Sequence, residues 1–263
     1  MKPMLSAENV VKVFGVPNSP HAITALSDVS IDVFSGETVG LVGESGSGKT
    51  TISRIMMGIE TATKGVVLRD GRRVETKADW KELRRNIQYV FQDPYTALCP
   101  TMRVGAALAE PLIVHKKCPR SECSDRVAEM LKKVGLHPDV MRRLPIHLSG
   151  GQRQRVSLAR ALMLEPNVLI CDEIVSGLDV SIQAQVLQLL INLQSELGIS
   201  IVFISHDLRV VRYMCDRVYV MYNGEVIEAG ETSNVFNTPS HQYTKSLLAA
   251  IPGVVRNSSV DIG

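Results

Sequence analysis

The most ordered signal along the chain is a set of short apolar runs with no polar alternation. VGLV stands at 39–42, VLIC at 168–171 and IVFI at 201–204. A strand that is apolar at every position is covered on both faces, so these runs predict buried strands of a parallel sheet flanked by helices. Helical spacing follows each run: Ile52, Ile55, Met56 and Ile59 after the first, and Ile182, Val186, Leu189, Leu193 and Leu197 after the second. A shorter stretch around Leu208 and Val211 trails the third. Strand then helix, repeated, predicts a doubly wound α/β core. Residues 23–34 instead alternate with period two through Val29, Ile31 and Val33 before the Ser35-Gly36 turn, which predicts antiparallel strand near the start.

Two further segments differ in character. Residues 102–164 carry only helical patterns, among them the stripe Val127, Met130, Leu131 and Val134 with Gly135 as its stop, and they predict a helical subdomain inserted into the core. Between 217 and 230, Asn223-Gly224 sits among alternating apolar residues and predicts a two-residue hairpin turn. The expected layout is one domain over 1–263. Its α/β core with antiparallel β part takes 1–101 and 165–230, its helical subdomain 102–164, and its C-terminal tail 231–263.

Composition narrows the partners. With 45% hydrophobic and 21% charged residues the chain has an ordinary globular make-up. Its formal net charge of +2 gives no support for a nucleic-acid-binding face, which needs a strongly basic surface. Basic pairs such as Arg72-Arg73, Arg84-Arg85 and Arg142-Arg143 read as solvated turns or helix faces. The five cysteines, at 99, 118, 123, 171 and 215, have no C-x-x-C spacing and no His cluster, so reduced thiols are expected rather than disulfides or zinc. The first thirteen residues hold Lys2, Glu8 and Lys12 and lack the apolar core of a signal peptide. No window approaches ~20 apolar residues, so a role at a membrane would depend on another chain.

The candidate chemistry starts where the first apolar run ends. GESGSGKT at 43–50 matches G-x-x-x-x-G-K-[ST] between a strand and an amphipathic helix. Glycines there let backbone N–H groups turn inward as an anion nest, and the helix N-terminus adds its positive dipole end. Lys49 supplies a compact charge for β- and γ-phosphates, and the Thr50 hydroxyl suits Mg²⁺. The second apolar run ends in Asp172 and Glu173, the first placed to hold Mg²⁺ through water and the second to polarise an attacking water. LSGGQ at 148–152 opens a helix, and two readings stand side by side: a capping box of Ser149 with Gln152, or a second anion site at a glycine-rich helix start.

Taken together these motifs resemble the ATPase domain of ABC transporters over nearly the whole chain. The Walker A motif is 43–50, the Q-loop is Gln92, the signature is 148–152, and Walker B is 168–172 with Glu173 following. The D-loop is 176–179 and the switch is His206. The resemblance implies a P-loop NTPase core with a mainly parallel sheet, an N-terminal antiparallel β subdomain and an inserted helical subdomain. It implies ATP contacts at Phe14, where the family stacks an aromatic on adenine, at Gly43, Glu44, Ser45, Gly46, Ser47, Gly48, Lys49, Thr50 and Thr51, and at Ser149, Gly150, Gly151 and Gln152. Mg²⁺ would fall to Thr50, Gln92 and Asp172, and the catalytic roles to Glu173, His206, Gln92 and Lys49, with Gln92 sensing γ-phosphate and His206 stabilising transition-state charge.

A narrower resemblance, to dipeptide, oligopeptide and nickel importer ATPases, rests on VFQDPY at 90–95, LDVSIQA at 178–184 and HQYTKSLLAAIP at 241–252. With no cysteine after Cys215, the chain is similar to the subunit without an iron–sulfur cluster. Ile174 replaces the usual proline after the Walker B glutamate, Gly177 replaces the usual D-loop alanine, and TALCP at 96–100 replaces SSLNP; every expected ligand remains. The resemblance implies head-to-tail pairing with a second ATPase subunit, identical or paralogous, so that Ser149 and Gly151 meet the partner's ATP. It also implies two permease subunits, an indirect link to a solute-binding protein, no nucleic acid, and a peripheral place on the cytoplasmic face of the cell membrane. The alternative is a soluble ABC-type ATPase in a cytosolic assembly such as a carbon–phosphorus lyase system.

Overall fold

The computed structural model describes residues 2–15, 21–93 and 97–250. Pro94, Tyr95 and Thr96 of the resemblance motifs, Ile251, Pro252 and the rest of the expected tail lie outside these residues. The central element is a six-stranded sheet in the order β10-β9-β3-β8-β7-β6. Its members are β3 (Thr38–Val42), β6 (Ile87–Val90), β7 (Val168–Asp172), β8 (Ser200–Ile204), β9 (Arg217–Tyr222) and β10 (Glu225–Glu231). All neighbours from β9 to β6 run parallel, and only β10 is antiparallel. The three apolar runs are β3, β7 and β8, and every residue in these strands is buried.

Burial on both faces follows from the pleat. Val168 and Ile170 face one hydrophobic cluster while Leu169 and Cys171 face the other. The first cluster lies under a second, four-stranded sheet in the order β2-β1-β4-β5, built from β1 (Leu5–Phe14), β2 (Ile23–Val33), β4 (Lys64–Arg69) and β5 (Arg72–Arg73). Helix α1 (Lys49–Met57) enters the same cluster through Ile52, Ile55 and Met56. α2 (Lys77–Asn86) leans on it with Leu83, the only residue of that helix to be buried.

The opposite cluster is filled by helices. They are α3 (Val104–Val114), α4 (Cys123–Lys133), α5 (Gly150–Leu162), α6 (Val180–Leu197), α7 (Leu208–Met214), α8 (Thr232–Asn237) and α9 (Gln242–Ala249). The apolar stripes expected for 102–164 appear as α3 to α5 with two short 3₁₀ turns between α4 and α5. The Asn223-Gly224 turn forms with both φ angles positive, 47° and 81°, and joins β9 to β10. Between β10 and residue 250 the chain packs onto the core: Val235, Phe236 and Leu248 sit in the helical cluster.

Phe203, on the central strand β8, is 0% exposed and is the largest fully buried side chain among the described residues. Phe203→Ala should therefore cost about 3–5 kcal/mol in urea unfolding, whereas Val114→Ala, at 67% exposure, should cost less than about 0.5 kcal/mol. Equal midpoints for the two variants would contradict the two-sided burial of the sheet.

Candidate nucleotide site

Pairing fixes which groups meet. Asp172 is level with Ile204, Ile204 with Leu41, and Cys171 with Val90. The segments that follow β3, β8, β7 and β6 therefore leave the sheet along one edge, carrying Gly43, His206, Glu173 and Gln92. That is the carboxyl edge of a parallel sheet, where ligands bind in open α/β folds.

The 43–50 loop is tightly fitted. A β-carbon on Gly43, at φ 146°, would lie 2.1 Å from the Met221 carbonyl oxygen, so no other residue fits. Gly48 is the N-cap of α1, which has neither a side-chain cap nor an acidic residue in its first turn. The positive end of that helix is left open to an anion. Lys49, the first residue of α1, is 5% exposed. Its Nζ donates to the Gly43 carbonyl at 2.8 Å, the Glu44 carbonyl at 2.7 Å and the Ser47 hydroxyl at 3.3 Å. Burial lowers the Lys49 pKa, opposed by the nearby carboxylates of Glu173, Asp172 and Glu44. A cation held at the mouth of an anion nest, with burial working against its charge, gains from a phosphate.

Beside it, the Thr50 hydroxyl donates to Asp172 Oδ1 at 3.3 Å. Asp172 Oδ2 accepts a 2.6 Å bond from the Tyr89 hydroxyl, which also shares a 3.1 Å bond with Ser53 Oγ. Burial raises the Asp172 pKa, in part offset by these hydroxyl donors. Burial, with Asp172 next to it, also pushes the Tyr89 hydroxyl well up, so Tyr89 stays a donor. A hydroxyl and a buried carboxylate side by side are hard oxygen donors of the kind Mg²⁺ takes, and a divalent cation would relieve the burial of the Asp172 charge. These residues fit the ion that the sequence implies.

Glu173 is the meeting point of the expected catalytic residues. Gln92 Nε2 donates to Glu173 Oε2 at 2.9 Å, and His206 Nδ1 lies 3.5 Å from the same oxygen. The Glu173 backbone takes a left-handed φ of 48°, a conformation that costs of order 1 kcal/mol or more and is kept where surroundings enforce it. Its N–H donates to the Ile204 carbonyl at 3.0 Å and its carbonyl accepts from Ser176 N at 3.0 Å. Ile174, in place of proline, is 1% exposed and belongs to the helical core, so packing rather than a proline ring anchors the chain behind Glu173. Gly177 adopts φ 75°, where glycine is at ease and alanine is not, which accounts for that departure.

The signature residues stand apart from this cluster. Ser149 caps α5, its hydroxyl accepting from Gln152 N at 3.3 Å while Gln152 Oε1 accepts from Ser149 N at 3.1 Å. The capping box of the first reading is formed, and both side chains are occupied within it. Gly151 packs against α6, where an added β-carbon would lie 2.6 Å from Ile182. Asp179 caps α6 through a 3.0 Å bond from Ile182 N. Phe14, the last residue of β1, is 41% exposed, with Lys12 Nζ 4.8 Å from its ring centroid. Sequence reading missed Tyr89 and Ser53. Only the period-two placement of Ile87 and Tyr89 on one face of β6 could have pointed to Tyr89.

No helix among the described residues is long and apolar enough to cross a membrane. Comparison with known proteins agrees with the geometry. The ABC transporter family profile matches residues 26–176, more than half the chain. The chain is 46% identical to a glutathione import ATP-binding protein of Pectobacterium atrosepticum, over 95% of this chain and 41% of that one. It is also 46% identical to an oligopeptide transport ATP-binding protein of Haemophilus influenzae, over 92% of this chain and 75% of that one. Among solved structures, a dimeric ATP-binding cassette in a post-hydrolysis state with ADP and Pi superposes with a TM-score of 0.78 at 31% identity, covering 87% of this chain and 99% of that one. With the matched segment carrying the P-loop and the Asp172-Glu173 strand end, the chain belongs to the ABC transporter family, as one of its ATP-hydrolysing cassettes.

Proposed function

We propose that the chain is the ATP-hydrolysing subunit of an importer for peptides or a related small solute. The observation that carries this reading is the gathering of Gln92, Glu173 and His206 on one carboxylate oxygen, beside the Thr50–Asp172 pair. Relatives named for glutathione and oligopeptide import support a peptide-like cargo over the cytosolic lyase assembly. In this reading the domain is a core over 1–101 and 165–230 with the helical insertion 102–164. Permease subunits then hold it at the cytoplasmic face of the membrane.

The division of labour follows from charge. The 43–51 loop and Lys49 hold the triphosphate, and Phe14 offers its exposed ring to the base. Mg²⁺, when bound, compensates phosphate charge; Thr50, Asp172 and Gln92 are the residues to hold it. Glu173 orients and polarises a water for in-line attack, and His206, 61% exposed, faces the charge that develops on the transferred phosphoryl group. Ser149, Gly150, Gly151 and Gln152 serve the ATP of a partner chain. Ile146 at 68% exposure and Val180 at 82% flank the signature and Asp179, and such exposed apolar side chains suit a covering subunit.

Two outcomes are expected. Glu173→Gln keeps the bond from Gln92 within reach but removes the charge, so hydrolysis should drop roughly 10²- to 10⁴-fold while MgATP still binds. Parental turnover in that variant would move the water-positioning role to His206 or to a partner chain. Second, turnover per chain should rise with protein concentration, or on adding a partner cassette, because half of each site is missing from one chain. Full, concentration-independent turnover by a monomer in analytical ultracentrifugation would remove Ser149 and Gly151 from the site.

A further inference from the structure

Helix α9 reaches back to the phosphate loop across the whole length of the chain. Tyr243, its second residue, places its hydroxyl 3.2 Å from the backbone nitrogen of Glu44 and accepts that N–H. Burial raises the Tyr243 pKa; the bond from the Glu44 N–H opposes the shift and the nearby charge of the Glu44 carboxylate adds to it. The second residue of the loop is thus held by its backbone N–H.

The helix is itself fixed. Glu228 on β10 accepts from Ser240 N at 2.7 Å, Ser240 Oγ at 2.9 Å and His241 N at 3.1 Å, pinning the turn into α9. His241 Nδ1 accepts from Tyr243 N at 3.1 Å and caps the helix, while Leu248 is buried in the core. The Tyr243 ring packs on Tyr222, centroids 4.2 Å apart. Tyr222 ends β9, and Gly224, two residues on, donates its N–H to the Ser47 carbonyl at 3.1 Å. Two loop residues, Glu44 and Ser47, are therefore tied to one unit made of the β9–β10 hairpin and α9.

We propose that Tyr243 is a positioning residue for ATP and that α9 is a strap that holds the phosphate loop in its binding shape before nucleotide arrives. Without the hydroxyl the Glu44 N–H turns to water and the loop must be ordered when ATP binds, a cost charged to affinity. The strap rests on the ATP-binding reading for its purpose, although its effect on the loop is measurable without nucleotide.

Tyr243→Phe keeps the ring on Tyr222 and removes only the hydroxyl. In the nucleotide-free full chain, amide exchange over residues 43–48 should be faster than in the parent, and KM for MgATP should rise about 2- to 10-fold with a smaller change in kcat, the scale of one hydrogen bond. Tyr222→Phe, which keeps the stack and touches no loop atom with its hydroxyl, should match the parent in both readouts. Parental exchange in Tyr243→Phe overturns the strap. Faster exchange with parental KM overturns its role in positioning ATP. A parent chain that fails to bind MgATP refutes the ATPase reading instead, and the nucleotide-free exchange still decides whether α9 holds the loop.

Discussion

The parallel register of β3, β8, β7 and β6 decides where the charges of the site come to rest. Because these strands are level at Leu41, Ile204, Asp172 and Val90–Cys171, the segments after them are delivered to one edge. Burial on both faces enforces that register: a slip of one residue would exchange the two hydrophobic clusters, moving Leu169 and Cys171 to the face of Val168 and Ile170. Site geometry here is a consequence of core packing. The Thr50–Asp172 bond spans 122 positions of sequence and needs only that β3 and β7 each sit one strand from β8.

Charge at that edge is balanced in a way that awaits a ligand. One buried lysine faces Glu44, Asp172 and Glu173; burial lowers its pKa and raises that of Asp172. Both shifts oppose the charged forms, so the site in isolation carries electrostatic cost. A polyanion together with a divalent cation reverses both costs at once, since phosphate oxygens face the lysine and the metal faces the aspartate. The open N-terminus of α1 adds to the same effect. Local strain at Glu173 belongs to the same design: a left-handed backbone, tied to Ile204 and backed by Ile174, aims the carboxylate at Gln92 and His206.

Much of this was legible in the sequence, and for a physical reason. Uninterrupted apolar runs reported β3, β7 and β8 because two-sided burial leaves no polar position, and Asn223-Gly224 reported its turn because few residues accept two positive φ angles. What escaped was encoded in pairs rather than periods. β5 and β6 are short, β4 buries only Val67, and α2 buries only Leu83, so neither strand alternation nor a helical stripe showed. Tyr89 looks like any strand aromatic until Asp172 is placed 2.6 Å from its hydroxyl. Tyr243 lies 199 residues from Glu44, a distance that no local pattern bridges. At LSGGQ, composition left two readings, and the structure shows the capping box formed while the resemblance supplies the reason for a second anion site.

The account stands on the claim that the Lys49 cradle is a triphosphate site, and calorimetric titration of MgATP into the parent chain and Lys49→Ala tests it most directly. The account predicts saturable binding by the parent and binding weakened at least tenfold in Lys49→Ala, with the two proteins identical by far-UV circular dichroism. Equal affinity in two equally folded proteins would contradict it.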